Sequence, residues 1–182
     1  MPGVWDSNPK QCSLKRAEIS NMHHYTLAAR FLRHLLTWSA LRDDIRAVIL
    51  VGSYARGAAR PDSDVDIRLL VVEPRTYTDD HSWVAVFGTV NDVAVRTYDR
   101  VTCIQVSFSS APVIEFGITD AEWTSEPDDG GARSAREGML VLLDRDGPST
   151  LLSKQFEQLG DRLNPTRAAL ARVSPDFERR TV

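Results

Sequence analysis

The sequence has little cysteine, no long apolar run and no excess of positive charge. Its two cysteines, Cys12 and Cys103, belong to no motif, so neither a disulfide framework nor a zinc site is expected. No stretch of about 18 apolar residues is present, so no membrane partner is expected. The formal net charge of -3 argues against broad binding to nucleic acid. Because the first residues lack the basic and apolar regions of a signal peptide, we expect a cytoplasmic protein.

The composition that remains is that of an ordinary globular protein. Of the 182 residues, 42% are hydrophobic and 26% are charged. We expect a loose leader over 1–12, one domain over 13–150, and a C-terminal helical extension with a polar tail over 151–182. Apolar residues at three- and four-residue spacing predict a helix over 13–42. Other short patterns predict helices over 78–87, 149–161 and 165–172, and strands over 47–51, 64–72, 101–108, 112–118 and within 138–147.

Two aspartates stand one residue apart in the apolar stretch 48–72. Because side chains alternate across a strand, Asp64 and Asp66 are expected to point to the same face. Carboxylates this close repel each other and raise each other's pKa unless a cation lies between them. Mg²⁺ prefers such hard oxygen ligands and keeps positions open for phosphates. Gly52 and Ser53, at the end of the preceding strand, would bring backbone N–H groups and a hydroxyl to the same place. These parts predict metal-assisted phosphoryl or nucleotidyl transfer.

The spacing of these residues resembles the signature of a known superfamily. Gly52-Ser53, ten residues, and then Asp64-Val65-Asp66 is similar to the motif of the DNA polymerase beta-like nucleotidyltransferases. The nearest branch contains small bacterial enzymes, namely aminoglycoside, lincosamide and minimal nucleotidyltransferases. The resemblance covers residues 45–150. It implies an α/β fold with a mixed, twisted sheet and helices packed on one side.

The resemblance also implies a third carboxylate on a later strand. Glu115 lies in the stretch Pro-Val-Ile-Glu-Phe-Gly, with Trp123 following, as in the bacterial branch. The implied catalytic and metal-binding residues are Asp64, Asp66 and Glu115, which would hold two Mg²⁺ ions. Glu115 would act either as a metal ligand or as the general base for the acceptor hydroxyl. By strand alternation it shares a face with Gly117, which is expected to leave open space for a substrate.

Further residues are predicted to bind the nucleotide. The set comprises Gly52, Ser53, Arg56, Gly57, Ser63 and Arg68. Arg68 departs from the family pattern, since it follows the two aspartates on their own face of the strand. It could pair with a carboxylate, contact a phosphate, or neutralise the site and weaken metal binding.

The predicted function is transfer of a nucleoside monophosphate, AMP from ATP, to a hydroxyl of a small acceptor such as an aminoglycoside. Two alternatives stay open: an antitoxin-type minimal nucleotidyltransferase that modifies or binds a helical protein, and a degenerate member that only binds nucleotide. Few residues follow position 150, so a homodimer or a partner protein is expected to complete the acceptor site. The five acids within 120–129 fit a solvated loop, or a negative rim that attracts a polycationic acceptor.

Overall fold

The computed structural model describes residues 9–124, residues 138–146 and Thr166. The predicted helix over 149–161 lies outside the described residues, as does the predicted helix over 165–172 apart from Thr166, which is helical. Within the described residues, no helix is both long enough and apolar enough to span a membrane.

The described chain forms three α-helices and six strands, with two short 3-10 helices. The helices are α1 (Pro9–Ala40), α2 (Gly52–Ala55) and α3 (Arg75–Thr78). The 3-10 helices cover Ser82–Phe87 and Ala121–Thr124. The strands are β1 (Ile45–Val51), β2 (Val65–Val71), β3 (Val90–Tyr98), β4 (Val101–Phe108), β5 (Ile114–Thr119) and β6 (Leu140–Asp144).

The strands form one mixed sheet in the order β3-β4-β5-β2-β1-β6. Strands β2 and β5 run parallel, and every other neighbouring pair is antiparallel. The predicted mixed sheet is thereby confirmed. The predicted antiparallel pairing of 101–108 with 112–118 is also present, as β4 and β5.

Alternation along β2 assigns its side chains to two different environments. Val65, Ile67 and Leu69 are fully buried in the large apolar cluster that includes Leu32 and Leu35 of α1. The residues between them point to the opposite face of the sheet. A smaller apolar cluster covers part of that second face, and its buried members are Ala47, Ile49, Val51, Leu70, Val101, Cys103, Trp123 and Met139. The carboxylates of the predicted site therefore lie on the face of the sheet opposite α1.

Three local predictions differ from the structure. Helix α1 begins at Pro9, inside the segment predicted as a loose leader. The helix predicted over 78–87 is present only in part, as the 3-10 helix Ser82–Phe87, which ends at Gly88 as predicted. Asp80 accepts hydrogen bonds from the backbone N–H and the hydroxyl of Ser82, the first residue of that helix. These bonds favour the start of a 3-10 helix that is separate from α3. Strand β3 was not predicted, since most of its residues are exposed and its sequence lacks a clear apolar alternation.

Candidate functional site

The predicted carboxylates come together where β2 and β5 begin. Asp66 of β2 is the register partner of Glu115 of β5, so both side chains lie on the face opposite α1. The pairing of the predicted strand 112–118 with 64–72 is thus confirmed. Asp64 lies immediately before β2. Its Oδ2 atom accepts a hydrogen bond of 3.0 Å from Nε2 of Gln105, which is the register partner of Glu115 on β4.

Burial and neighbouring carboxylates raise the pKa of Asp66. Burial is the largest cause that raises its pKa to about 6, and the charges of Glu115 and Asp64 add to that effect. The positive charges of Arg68 and Arg56 act in the opposite direction. A cation between the carboxylates would relieve this repulsion, and the hard oxygens of Asp64 and Asp66 are suitable ligands for Mg²⁺. The pair therefore fits the metal that the resemblance implies.

A glycine is required where the chain leaves β1. Gly52 has a φ of +68° and lies directly against the carboxylate of Asp66. A Cβ atom at this position would overlap the carboxylate and would be 2.9 Å from its Cγ atom. The positive φ and the close approach are both readily adopted only by glycine. The first residue of α2 is consequently held next to the carboxylates, as predicted for a phosphate-binding turn.

Arg68 fills the space that was expected to be open at Gly117. These two residues are register partners, and a Cβ atom on Gly117 would lie 2.5 Å from Nη1 and 2.6 Å from Cδ of Arg68. The prediction that Gly117 leaves room for a substrate is therefore wrong. Arg68 is only 8% exposed, and its Nη1 atom lies 3.8 Å from Oε1 of Glu115. Of the roles that the sequence left open for Arg68, the structure shows pairing with a carboxylate.

Cys103 belongs to a row of register partners that neighbours the row containing Asp66 and Glu115. It is the β4 register partner of Gly117, so Arg68, Gly117 and Cys103 form a row across β2, β5 and β4. Burial is the largest cause that raises the pKa of the Cys103 thiol to about 11, and the charge of Glu115 contributes to that rise. The thiol is consequently protonated at neutral pH, and Arg68 is the charged member of this row.

The loop between α2 and β2 is closed by its own hydrogen bonds. The Ser63 hydroxyl accepts a bond of 2.9 Å from the Arg60 N–H, and Gly57 turns the chain with a φ of +68°. Arg56 is exposed, and its side chain runs along Gly138. Ser63 and Gly57 thus fix the conformation of the loop. Arg56, which was also predicted to bind the nucleotide, exposes its charged side chain to solvent.

Aromatic rings of α1 pack against a buried ring of α2. Tyr54 is fully buried, and the rings of Tyr25 and His24 pack against it edge-on. The Tyr25 hydroxyl donates to the Ala59 carbonyl, and the Thr166 hydroxyl donates to the Tyr54 carbonyl. Sequence reasoning missed these supports and Gln105. A polar residue in the middle of the apolar run 101–108 was the available signal for Gln105.

The part of the chain that the structure describes contains no group of three or more His, Cys, Asp or Glu side chains arranged to hold a metal ion. Glu115 is instead the carboxylate closest to Arg68 among the ion pairs of the described residues. The assignment of Glu115 as a third metal ligand stays a prediction.

Comparison with known proteins shows the fold that this chain shares and the family to which its sequence belongs. No match is found among curated proteins. A solved structure, an aminoglycoside 6-adenyltransferase from Bacillus subtilis, is similar in fold with a TM-score of 0.51 and 15% sequence identity. The similarity covers 67% of this chain and 42% of that chain, so this chain spans less than half of that protein's length. The model of the streptomycin adenylyltransferase family matches residues 27–177, which is most of the sequence, and the chain therefore belongs to that family.

Proposed function

We propose that the protein transfers AMP from ATP to a hydroxyl group of an aminoglycoside, with streptomycin as the first candidate acceptor. The observation that carries this proposal is the position of Asp66 against Gly52, with Glu115 as its register partner and Asp64 just before the same strand. The names of the matching family and of the structural neighbour support adenylyl transfer and an aminoglycoside acceptor.

Asp64 and Asp66 would hold Mg²⁺ together with the phosphates of ATP. When bound, the metal would polarise the phosphate oxygens and offset the charge of the leaving pyrophosphate. Gln105 fixes one oxygen of Asp64 through its amide, so the carboxylate is oriented before any ligand arrives. Backbone N–H groups at Gly52 and Ser53, together with Arg56, would hold the terminal phosphates.

Glu115 would receive the proton of the acceptor hydroxyl. The acceptor oxygen forms a bond to the α-phosphorus of ATP, and the bond from that phosphorus to the oxygen bridging to the β-phosphate breaks. Pyrophosphate leaves, and the hydroxyl proton passes to the Glu115 carboxylate. Arg68 is buried and lies next to Glu115, so its position supports a role in orienting that carboxylate over direct contact with a phosphate.

Pyrophosphate release tests the proposal. The chain is incubated with ATP, Mg²⁺ and one acceptor at a time, drawn from streptomycin, other aminoglycosides and a lincosamide. We expect release only with an aminoglycoside, and a loss of more than about 100-fold in Asp66→Asn. Asp62→Asn is the matched control, because Asp62 is exposed on the loop that precedes β2. Release that Asp66→Asn leaves intact, or no release with any acceptor, would contradict the proposal.

The role of Glu115 requires a separate measurement. If Glu115 takes the proton, Glu115→Gln should lower turnover while the affinity for ATP and Mg²⁺, measured by calorimetry, stays within about twofold of wild type. If Glu115 is a metal ligand, the substitution should weaken binding and turnover together. The comparison therefore separates the two roles that the sequence left open.

A further inference from the structure

Strand β3 ends the sheet on one side and exposes apolar side chains there. It is nine residues long and pairs with β4 on one edge, while no strand of the described chain pairs with its other edge. Val93, Val95 and Tyr98 are 36%, 45% and 57% exposed. A long, partly apolar edge strand is a template for pairing with another strand.

The turn after β3 determines which of its backbone groups are available. Asp99 and Arg100 form a two-residue connection, with Asp99 at a φ of 49°, and Tyr98 is the register partner of Val101. In such a hairpin the residues that flank the turn form a hydrogen-bonded pair, and the bonding alternates along the ladder. The N–H and C=O groups of Val93 and Val95 consequently point away from β4, toward the open edge.

The side chains of β3 carry opposite charges that have no partner within the described chain. Asp92 and Arg96 are both exposed, and neither belongs to an ion pair among the described residues. They lie four residues apart on one face of the strand, which is a separation of about 13 Å, too long for a contact within one strand. Val93 and Val95 lie on the other face, opposite Val106 and Ile104 of β4.

We propose that two copies of this chain associate through antiparallel pairing of their β3 edges, around a two-fold axis at Ala94. This register places Val93 opposite Val95 of the partner subunit, and these are the residues whose backbone groups point outward. It also places Asp92 opposite Arg96 of the partner subunit, on the same face and at contact distance. A two-fold interface requires a surface that is its own complement, and the segment 92–96 meets that condition in both charge and apolar pattern.

The pairing extends the sheet without changing its faces. Two six-stranded sheets joined at β3 form one continuous sheet, with both carboxylate groups on the same side. Seven strand spacings separate the two β2 strands, which puts the two sites about 34 Å apart. The face of β3 that carries Ala94 and Arg96 would therefore lie next to the same face of β3 and β4 in the other copy, which includes Gln105.

Sedimentation of the full chain over a wide range of concentrations, with no nucleotide present, tests the dimer independently of the proposed activity. Arg96→Asp should weaken the dimer about tenfold or more, because each of its two ion pairs becomes a repulsive contact. Asp92→Arg should do the same. The double variant Asp92→Arg/Arg96→Asp should restore the wild-type dissociation constant, since the attraction returns with the charges exchanged.

Arg75→Asp is the control, because Arg75 is exposed on α3, away from β3. It should leave the dissociation constant unchanged. A chain that is monomeric at every concentration would overturn the proposal. So would a dimer that the single reversals do not weaken, or one that the double exchange does not restore.

Discussion

Asp66 opposes folding when it is ionised and no metal is bound. Its pKa is raised from an ordinary value of 3.8 to about 6, first by burial and then by Glu115 and Asp64. The folded chain therefore binds this proton more tightly than the unfolded chain does. Asp66 lowers stability above pH 6, and this cost disappears as the pH falls below about 4. We expect Asp66→Asn to raise the free energy of unfolding by about 3 kcal/mol at pH 7.5.

Urea denaturation in the presence of EDTA measures this difference. The gain in Asp66→Asn should shrink as the pH is lowered from 7.5 to 4, because wild type then carries a protonated Asp66. Asp62→Asn serves as the control in the same measurement, because Asp62 is exposed on the loop before β2. An Asp66→Asn variant that is less stable than wild type at pH 7.5 would show that the ionised carboxylate supports the fold.

Arg68 and Glu115 depend on each other for stability. The Arg68 guanidinium is buried, and the only ion pair it forms among the described residues is the 3.8 Å contact with Glu115. Removing one partner of a buried pair leaves an uncompensated charge. Because the Glu115 side chain is 26% exposed, solvent screens the pair, and we expect Glu115→Gln to lower the free energy of unfolding by about 1–2 kcal/mol, less than the loss of a partner costs in a fully buried pair. Arg68→Met combined with Glu115→Gln should cost less than the sum of the two single changes, as a double-mutant cycle would measure. Additive costs would mean that the pair is not coupled.

At the level of elements, the end of α1 is stabilised by a residue far away in the sequence. The last turn of α1 contains no basic residue. Arg145, which follows β6, donates to the carbonyls of Ser39, Ala40 and Ile45 at 3.2, 2.8 and 3.0 Å. A cation there satisfies carbonyl groups that the helix leaves free and complements the helix dipole.

Replacing this arginine tests the contribution of the cap. Arg145→Met keeps most of the apolar stem and should lower the free energy of unfolding by about 1–3 kcal/mol, because three carbonyls lose a charged donor. Arg46→Met is the comparison, since Arg46 pairs with Asp146 in a solvent-exposed contact that should contribute little. Thermal or urea denaturation that ranks the two variants equally would contradict the capping role.

Element prediction from the sequence succeeded where burial gives a clear pattern. Strand β2 was predicted within one residue at each end because one face is fully apolar and Pro74 follows it. Strand β3 failed for the opposite reason. Most of its residues are exposed, and the apolar run Val93-Ala94-Val95 breaks the alternation of apolar and polar residues, so the segment 90–98 carries no clear core-facing signal. Its partner β4, which is buried, supplies the pairing that makes it a strand.

For the whole molecule, ligand binding should appear as stabilisation. ATP with Mg²⁺ would bind the folded arrangement of Asp64, Asp66 and Gly52 and not the unfolded chain. At a ligand concentration of about 100 times Kd, this stabilises the fold by about 2.7 kcal/mol. We expect a higher Tm with ATP and Mg²⁺ together, no increase with ATP in EDTA, and none in Asp66→Asn. Asp62→Asn should respond as wild type does, and a metal-independent increase would contradict the metal assignment.

The sequence by itself determined the local parts of the site. Gly52, Asp64 and Asp66 could be found because turn chemistry and strand alternation depend on neighbouring residues, and two carboxylates in an apolar strand are costly without a cation. The tertiary structure decided which residues of different strands contact one another. Arg68 occupies the space over Gly117, and Gln105 bonds to Asp64, because cross-strand register joins residues that are distant in the sequence. That register follows from how the whole sheet packs on α1, which no local pattern of residues specifies.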